Sequence, residues 1–130
     1  MLTYENGIAA MDWLCRVFGF TEKSRWLDSE GKLSHGEITM NEGIIMLADG
    51  NLDYESPIRH RQNCTRSAKW YSVPYIINGI LVYVDDVRAH FENSRKLGAR
   101  ILSDLEFVEP GPRYRAEDLE GQRWMFMQKT

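Results

Sequence analysis

Arg113-Tyr-Arg-Ala-Glu-Asp-Leu-Glu-Gly-Gln-Arg-Trp-Met-Phe-Met127 decides the fold of this 130-residue chain. Two short runs flank a turn at Asp118-Leu119-Glu120-Gly121, where glycine supplies the positive φ that a tight connection needs. The stretch therefore reads as a β-hairpin. Its return strand has two unlike faces, with Trp124 and Phe126 on one and Arg123, Met125 and Met127 on the other. The aromatic face suits a place beneath a helix. The other face mixes charge with flexible thioethers and suits a cavity wall as well as it suits plain packing.

Before the hairpin, Gly79–Val84 alternates as a strand with Ile80, Val82 and Val84 on one side. Asp85-Asp86 caps a helix from Val87 to about Leu97, Gly98 ends it, and Ile101–Glu106 is a further strand before the turn at Pro110-Gly-Pro112. The first half has the same order. Met1–Tyr4 reads as a strand end, and Ile8–Phe18 as a helix with apolar residues at 8, 11, 14, 15 and 18, Asn6 as N-cap and Gly19 as left-handed C-cap. Strands follow over Phe20–Asp28, Lys32–Asn41 and Ile44–Ala48, the middle one with Ile38 and Met40 on one face and His35, Glu37 and Thr39 on the other. Residues 79 apart match across the halves, Ile8 with Val87, Ala10 with Ala89, Arg16 with Arg95, Phe18 with Leu97 and Gly19 with Gly98, and each half ends in a Glu-Gly turn before its last strand. The chain is thus expected to be α+β, two βαβββ modules. Each module would leave one sheet face bare. Pairing the sheets, within a chain or between two chains, encloses a trough, with the helices outside.

Between the modules, residues 49–78 lose all periodicity. Pro57, Pro74 and the cluster Arg59-His60-Arg61, read as surface, mark a connector of some thirty residues. Its second half carries Trp70, Tyr71 and Tyr75, so it reads as a lid or an inter-subunit arm, or else as a mobile loop with incidental aromatics. The organisation is one domain over 1–130: module 1 at about 1–48, connector or lid at 49–78, module 2 at 79–130.

Composition narrows the function. With 43% apolar and 27% charged residues the chain is globular, and its net charge of −3 gives no footprint for nucleic acid. No apolar run approaches a membrane span, and no secretory pattern opens the sequence, so a cytoplasmic location is expected. Cys15 and Cys64 have neither disulfide-framework nor zinc spacing.

The two modules, the helix ending Asp12-Trp13-Leu14…Val17-Phe18-Gly19-Phe20, Tyr83-Val-Asp-Asp86 and Glu117-Asp-Leu-Glu-Gly-Gln-Arg-Trp124 together resemble the vicinal oxygen chelate superfamily. The likeness is to its glyoxalase/bleomycin-resistance group, with Leu119 standing where proline is usual. The resemblance implies the glyoxalase-type fold and, in the family's enzymes, a divalent metal held by one residue from each of four strands. Carried over, the first position falls just before Met1, the second on Glu37, the third on Gly79 and the fourth on Met125. Only Glu37 is a hard-metal donor, so the expectation is no metal and no cofactor.

With the apolar side of each strand placed beneath the helices, the trough receives His35, Glu37, Thr39, Leu81, Tyr83, Arg123, Met125 and Met127. For the strand before the last, Arg113 and Arg115 share one face and Tyr114 takes the other, and the sequence leaves that choice open. The candidate ligand-binding set is His35, Glu37, Trp70, Tyr71, Tyr83, Tyr114, Arg115, Arg123 and Met125. Glu37 is the one candidate catalytic residue, a general base if burial raises its pKa, or else the partner of an arginine across the trough. The expected function is a metal-free protein that sequesters or carries a small aromatic or amphipathic ligand. A homodimer, domain-swapped or not, is the expected assembly, with neither nucleic acid nor membrane as partner. A metal-dependent lyase, isomerase or dioxygenase is the alternative, and a module whose trough is filled by protein is a third.

Overall fold

A computed structural model describes residues 1–75 and 78–129. Its elements are β1 (Leu2–Tyr4), α1 (Gly7–Phe18), β2 (Thr21–Leu27), β3 (Leu33–Met40), β4 (Gly43–Asp49), α2 (Pro57–Asn63), α3 (Thr65–Trp70), β5 (Gly79–Val84), α4 (Val87–Lys96), β6 (Arg100–Glu106), β7 (Arg113–Glu117) and β8 (Arg123–Gln128). Two four-stranded sheets result, ordered β1-β4-β3-β2 and β5-β8-β7-β6. In each, the first strand lies parallel to the last and the remaining pairs are antiparallel, so the sequence repeat is a repeat of topology. The architecture is α+β with two βαβββ modules.

The caps form as the sequence implies. The side chains of Asn6 and Asp86 accept from the backbone N–H groups of Ala9 and Ala89, and Gly19 and Gly98 take positive φ after the helices. The repeat is not constant, however. The two N-caps are 80 residues apart and the two glycines 79, so Gly7 rather than Ile8 corresponds to Val87. The structural mate of buried Tyr4 is accordingly Val84, also buried.

Each helix lays an apolar stripe on its own sheet. In α1 the stripe is Ala10, Met11, Leu14, Val17 and Phe18, and Met11 fits against Gly36, where an added Cβ would come 2.5 Å from its sulfur. The outer sides stay wet, as Asp12, Arg16, Arg88 and Glu92 show. The two stripes then merge into one core. Phe18 reaches the second module's Trp124 and Phe126, with ring centroids 5.9 and 4.7 Å away. Burying aromatics of this size contributes about 1.5–3 kcal/mol each.

The hairpin turn joins the modules. Asp118 accepts from Tyr4 Oη at 2.7 Å, from Trp124 Nε1 at 3.1 Å and from the backbone N–H groups of Glu120 and Gln122 at 3.0 Å. Glu120 accepts from the backbone N–H groups of Glu5 and Asn6, the residues that lead into α1. The turn that identifies the hairpin in the sequence thus ties together chain segments more than a hundred residues apart.

The connector is more ordered than its sequence pattern implies. It contains α2 and α3, the first started by Ser56 as N-cap and Pro57 at the first helical position. Cys64 closes one helix and opens the next, its sulfur accepting from Ser67 N–H. At seven and six residues, neither helix completes the two turns over which an apolar stripe becomes visible. Both cysteines are free, and among the described residues no helix is long and apolar enough to cross a membrane.

Candidate functional site

Strand alternation leaves each sheet one face turned away from the shared core. On the first sheet, His35, Glu37 and Thr39 of β3 lie beside Trp26 and Ser24 of β2 and Met46 and Ile44 of β4. On the second, Leu81 and Tyr83 of β5 lie beside Met125 and Met127 of β8, and these beside Arg115 and Arg113 of β7. The β3, β5 and β8 residues fall on the faces that their alternation implies.

His35 Nε2 lies 2.7 Å from Glu37 Oε2, Lys23 Nζ approaches the same carboxylate at 3.7 Å, and the His35 ring packs 5.3 Å from that of Trp26. The hydrogen bond to His35 holds the Glu37 carboxyl below the usual carboxylate range, against the opposing effect of burial and with a further contribution from Lys23. This corrects both expectations for Glu37. Its pKa is not raised toward neutrality as a general base requires, and its partners are histidine and lysine from its own sheet rather than an arginine.

On the second sheet the choice between Tyr114 and the arginines is settled. Tyr114 pairs with Phe126 across the ladder and is 0% exposed, with its hydroxyl 2.6 Å from His90 Nδ1 and 3.0 Å from Ser94 Oγ. Its place in the candidate binding set is therefore corrected: it belongs to the core, where burial raises its pKa. Arg113 and Arg115 occupy the open face.

Arg123 is on the expected face but is already engaged. Its Nε donates to Glu117 at 3.1 Å, and its terminal nitrogens donate to the carbonyls of Val73 and Tyr71. Arg61 grips the same Glu117 with two 2.8 Å bonds, and both guanidinium groups lie within 5.1 Å of the Tyr71 ring centroid. Arg61, grouped with surface residues by its sequence neighbours, is instead the connector's anchor on the second sheet. The two arginines outweigh the upward push of burial and hold Glu117 ionised. In the sequence Glu117 stands only as the start of the hairpin motif, and its place opposite Arg123 across the hairpin is the available signal for their pairing.

The docked connector roofs one end of the open face. Beneath it lies a pocket of about 200 Å³ lined by Pro74, Tyr75, Leu81, Arg115, Arg123 and Met125. A wider cleft of about 770 Å³ runs between the β3–β4 turn and the free edge of β5, past Asn41, Ile44, Leu81, Tyr83 and Lys129. There Asn41 Nδ2 donates to the Tyr83 carbonyl at 3.1 Å. The candidate residues thus fall into groups. Arg115, Arg123 and Met125 share one pocket with Tyr71 behind its arginine, Tyr83 lines the cleft, and His35 and Glu37 line neither. Trp70 ends α3 and is 47% exposed.

The positions that would hold a metal in the family's enzymes do not suit one here. Glu37 is committed to His35 and Lys23, Gly79 has no donor, and Met125 offers a thioether between Leu81 and Arg115. Among the described residues no three His, Cys, Asp or Glu side chains converge. A hard divalent cation needs more oxygen or nitrogen than this set supplies.

Solved structures share this fold. TioX from Micromonospora sp. ML1 is 29% identical, with a TM-score of 0.71 over 99% of this chain and 92% of its own. UcmS2 is 15% identical, with a TM-score of 0.68 over 97% and 92%. TnmS3, an antibiotic binding protein from Streptomyces sp. CB03234, is 14% identical, with a TM-score of 0.64 over 99% and 93%. Among curated proteins none matches the chain. The family model of the Glyoxalase/Bleomycin resistance protein/Dioxygenase superfamily matches residues 1–126, which takes in both modules, the connector and the Asp118–Gly121 joint. With that match and the paired βαβββ topology in hand, the chain belongs to the glyoxalase/bleomycin resistance protein/dioxygenase superfamily.

Proposed function

We propose that this protein binds a small aromatic or amphipathic molecule and sequesters or carries it, without a catalytic metal. The observation that carries this reading is the pocket beneath the connector, where Met125 and Leu81 make an adaptable apolar wall with Arg115 beside it. Such a wall, with a few convergent polar groups, suits flat conjugated ligands. The fold it shares with TnmS3, an antibiotic binding protein, supports the same reading. An enzymatic reading would rest on Glu37, and that carboxylate is paired with His35 and Lys23, which lower its pKa and weaken it as a base.

The working unit in this proposal is a homodimer. Trp26 is 63% exposed on one open face and Leu81 45% on the other, and a second copy laid over them would complete a trough. Two free cysteines fit a reducing, cytoplasmic setting.

Thermal unfolding with aromatic antibiotics, quinones and acyl compounds tests the binding. A ligand at a hundred times its Kd should stabilise the fold by about 2.7 kcal/mol. For a chain of this size that raises Tm by several degrees. No shift with any of these classes would overturn the proposal.

A further inference from the structure

We propose that the open face of the second sheet selects ligands carrying an acidic oxygen group, a carboxylate or its equivalent, and that Arg115 and Arg113 hold that group. This rests on the small-molecule reading above and adds the chemical class of the ligand.

The face carries more guanidinium than carboxylate. Glu117 is matched by Arg61, Arg123 and Arg100, so among the described residues Glu106 alone pairs with both Arg113 and Arg115. Its oxygens stand 3.7 Å from Arg113 Nε and 3.5 Å from Arg115 Nη1, both outside ordinary hydrogen-bond reach. Neither guanidinium makes a hydrogen bond to a described residue, and Arg113 Nε, shielded from solvent, has only the 3.7 Å ion pair to Glu106. Yet both side chains are largely covered, at 22% and 20% exposed. General basicity is not the explanation, because the chain as a whole carries −3.

A guanidinium presents five N–H groups in a fixed fork that matches a carboxylate. Arg115 lines the 200 Å³ pocket beside Met125, and Arg113 stands two residues further along the same face beside Met127. A flat ring system lying on Met125 and Leu81 would bring an acidic substituent within reach of these donors. The thin, partly dry surroundings strengthen the attraction relative to open water. Glu106, the more exposed member of the cluster, competes with the ligand for the same two arginines.

Calorimetric titration with anthracene-2-carboxylate and anthracene-2-carboxamide, which share shape and differ in charge, tests this. The wild-type protein should bind the acid at least about tenfold more tightly than the amide, as charge-assisted hydrogen bonds imply. Arg115→Gln should remove that preference, weakening the acid about tenfold more than the amide. Glu106→Gln should tighten the acid alone, an effect that a merely structural role for the cluster would not give. Equal binding of acid and amide would overturn the inference while leaving the binding function in place. Equal weakening of both by Arg115→Gln would also overturn it, assigning the residue to packing or to a subunit contact. Binding of neither probe would count against the small-molecule reading itself, and this inference would fall with it.

Discussion

Arg61 and Glu117, 56 residues apart, meet in a two-pronged ion pair with both bonds at 2.8 Å, and the carboxylate is 1% exposed. This pair fixes where the connector can lie. Arg61 comes from α2, and Arg123, the second partner of Glu117, holds the carbonyls of Tyr71 and Val73 beyond α3.

Arg61→Ala should therefore loosen the connector more than the modules. Arg123 still neutralises Glu117, so the loss should be about 1.5–3 kcal/mol, the range for hydrogen bonds to charged groups. Glu117→Ala removes the buried carboxylate that Arg61, Arg100 and Arg123 share and should cost more, about 3–5 kcal/mol. Urea unfolding gives these values. Hydrogen exchange should show faster opening across α2 and α3 in Arg61→Ala, with β7 and β8 unchanged. Uniform acceleration over the whole chain would contradict a local anchor.

The alternation of β3, His35-Gly-Glu-Ile-Thr-Met, reads directly in the sequence because one face is apolar and the other is not. The strand Arg113-Tyr-Arg-Ala-Glu117 does not, since both faces carry residues that can be buried. Its facing is decided by register against β8, which sets Tyr114 opposite Phe126. The connector helices were hidden by their shortness, although Ser56-Pro57 is a helix-start signal. Arg123 illustrates the harder limit. Residue type and face suggest a ligand contact, but two backbone carbonyls from residues 71 and 73 occupy its terminal nitrogens, and no local pattern announces such partners.

His90 should make the fold sensitive to mild acid. Its Nε2 donates to the carbonyl of Phe18 at 2.7 Å, its Nδ1 faces the Tyr114 hydroxyl, and the Phe126 ring centre is 4.2 Å away. Burial lowers its pKa, only partly offset by the bond to Phe18. The imidazole is therefore neutral in the fold and takes up a proton more readily once unfolded. Its contribution is fully present above the unfolded value of about 6.5 and is lost as pH falls below it, with a slope of up to about 1.4 kcal/mol per pH unit. Urea midpoints should drop between pH 7.5 and 5.5 in the wild type, and less steeply in His90→Gln. Identical slopes would rule out His90 as the source.

Tyr114→Phe separates core from site. The substitution removes a hydroxyl shared with His90 and Ser94 and leaves the ring against Phe91 and Phe126. Stability should fall by about 1–3 kcal/mol, because buried hydrogen-bonding groups lose their partner. Ligand affinity, measured at equal folded fraction, should not change. A selective loss of affinity would return Tyr114 to the binding surface.

Trp26 is the sharpest probe of the proposed dimer. It stands 63% exposed beside His35, on the same face as Met46 at 40% and Ile44 at 50%, and such a run of large apolar groups is unusual on a lone surface. If a second copy covers this face, Trp26→Glu places a charge in the contact, where removing it from water costs several kcal/mol. Light scattering should then give a mass near twice 15.2 kDa for the wild type at micromolar concentration and near 15.2 kDa for the variant, with unchanged circular dichroism. Leu81→Glu on the opposite open face should act in the same way, since each copy would present both faces to the other. Loss of the dimer in one variant but not the other would indicate an interface built on a single face. In that case the trough would not be shared, and ligand affinity should survive dissociation.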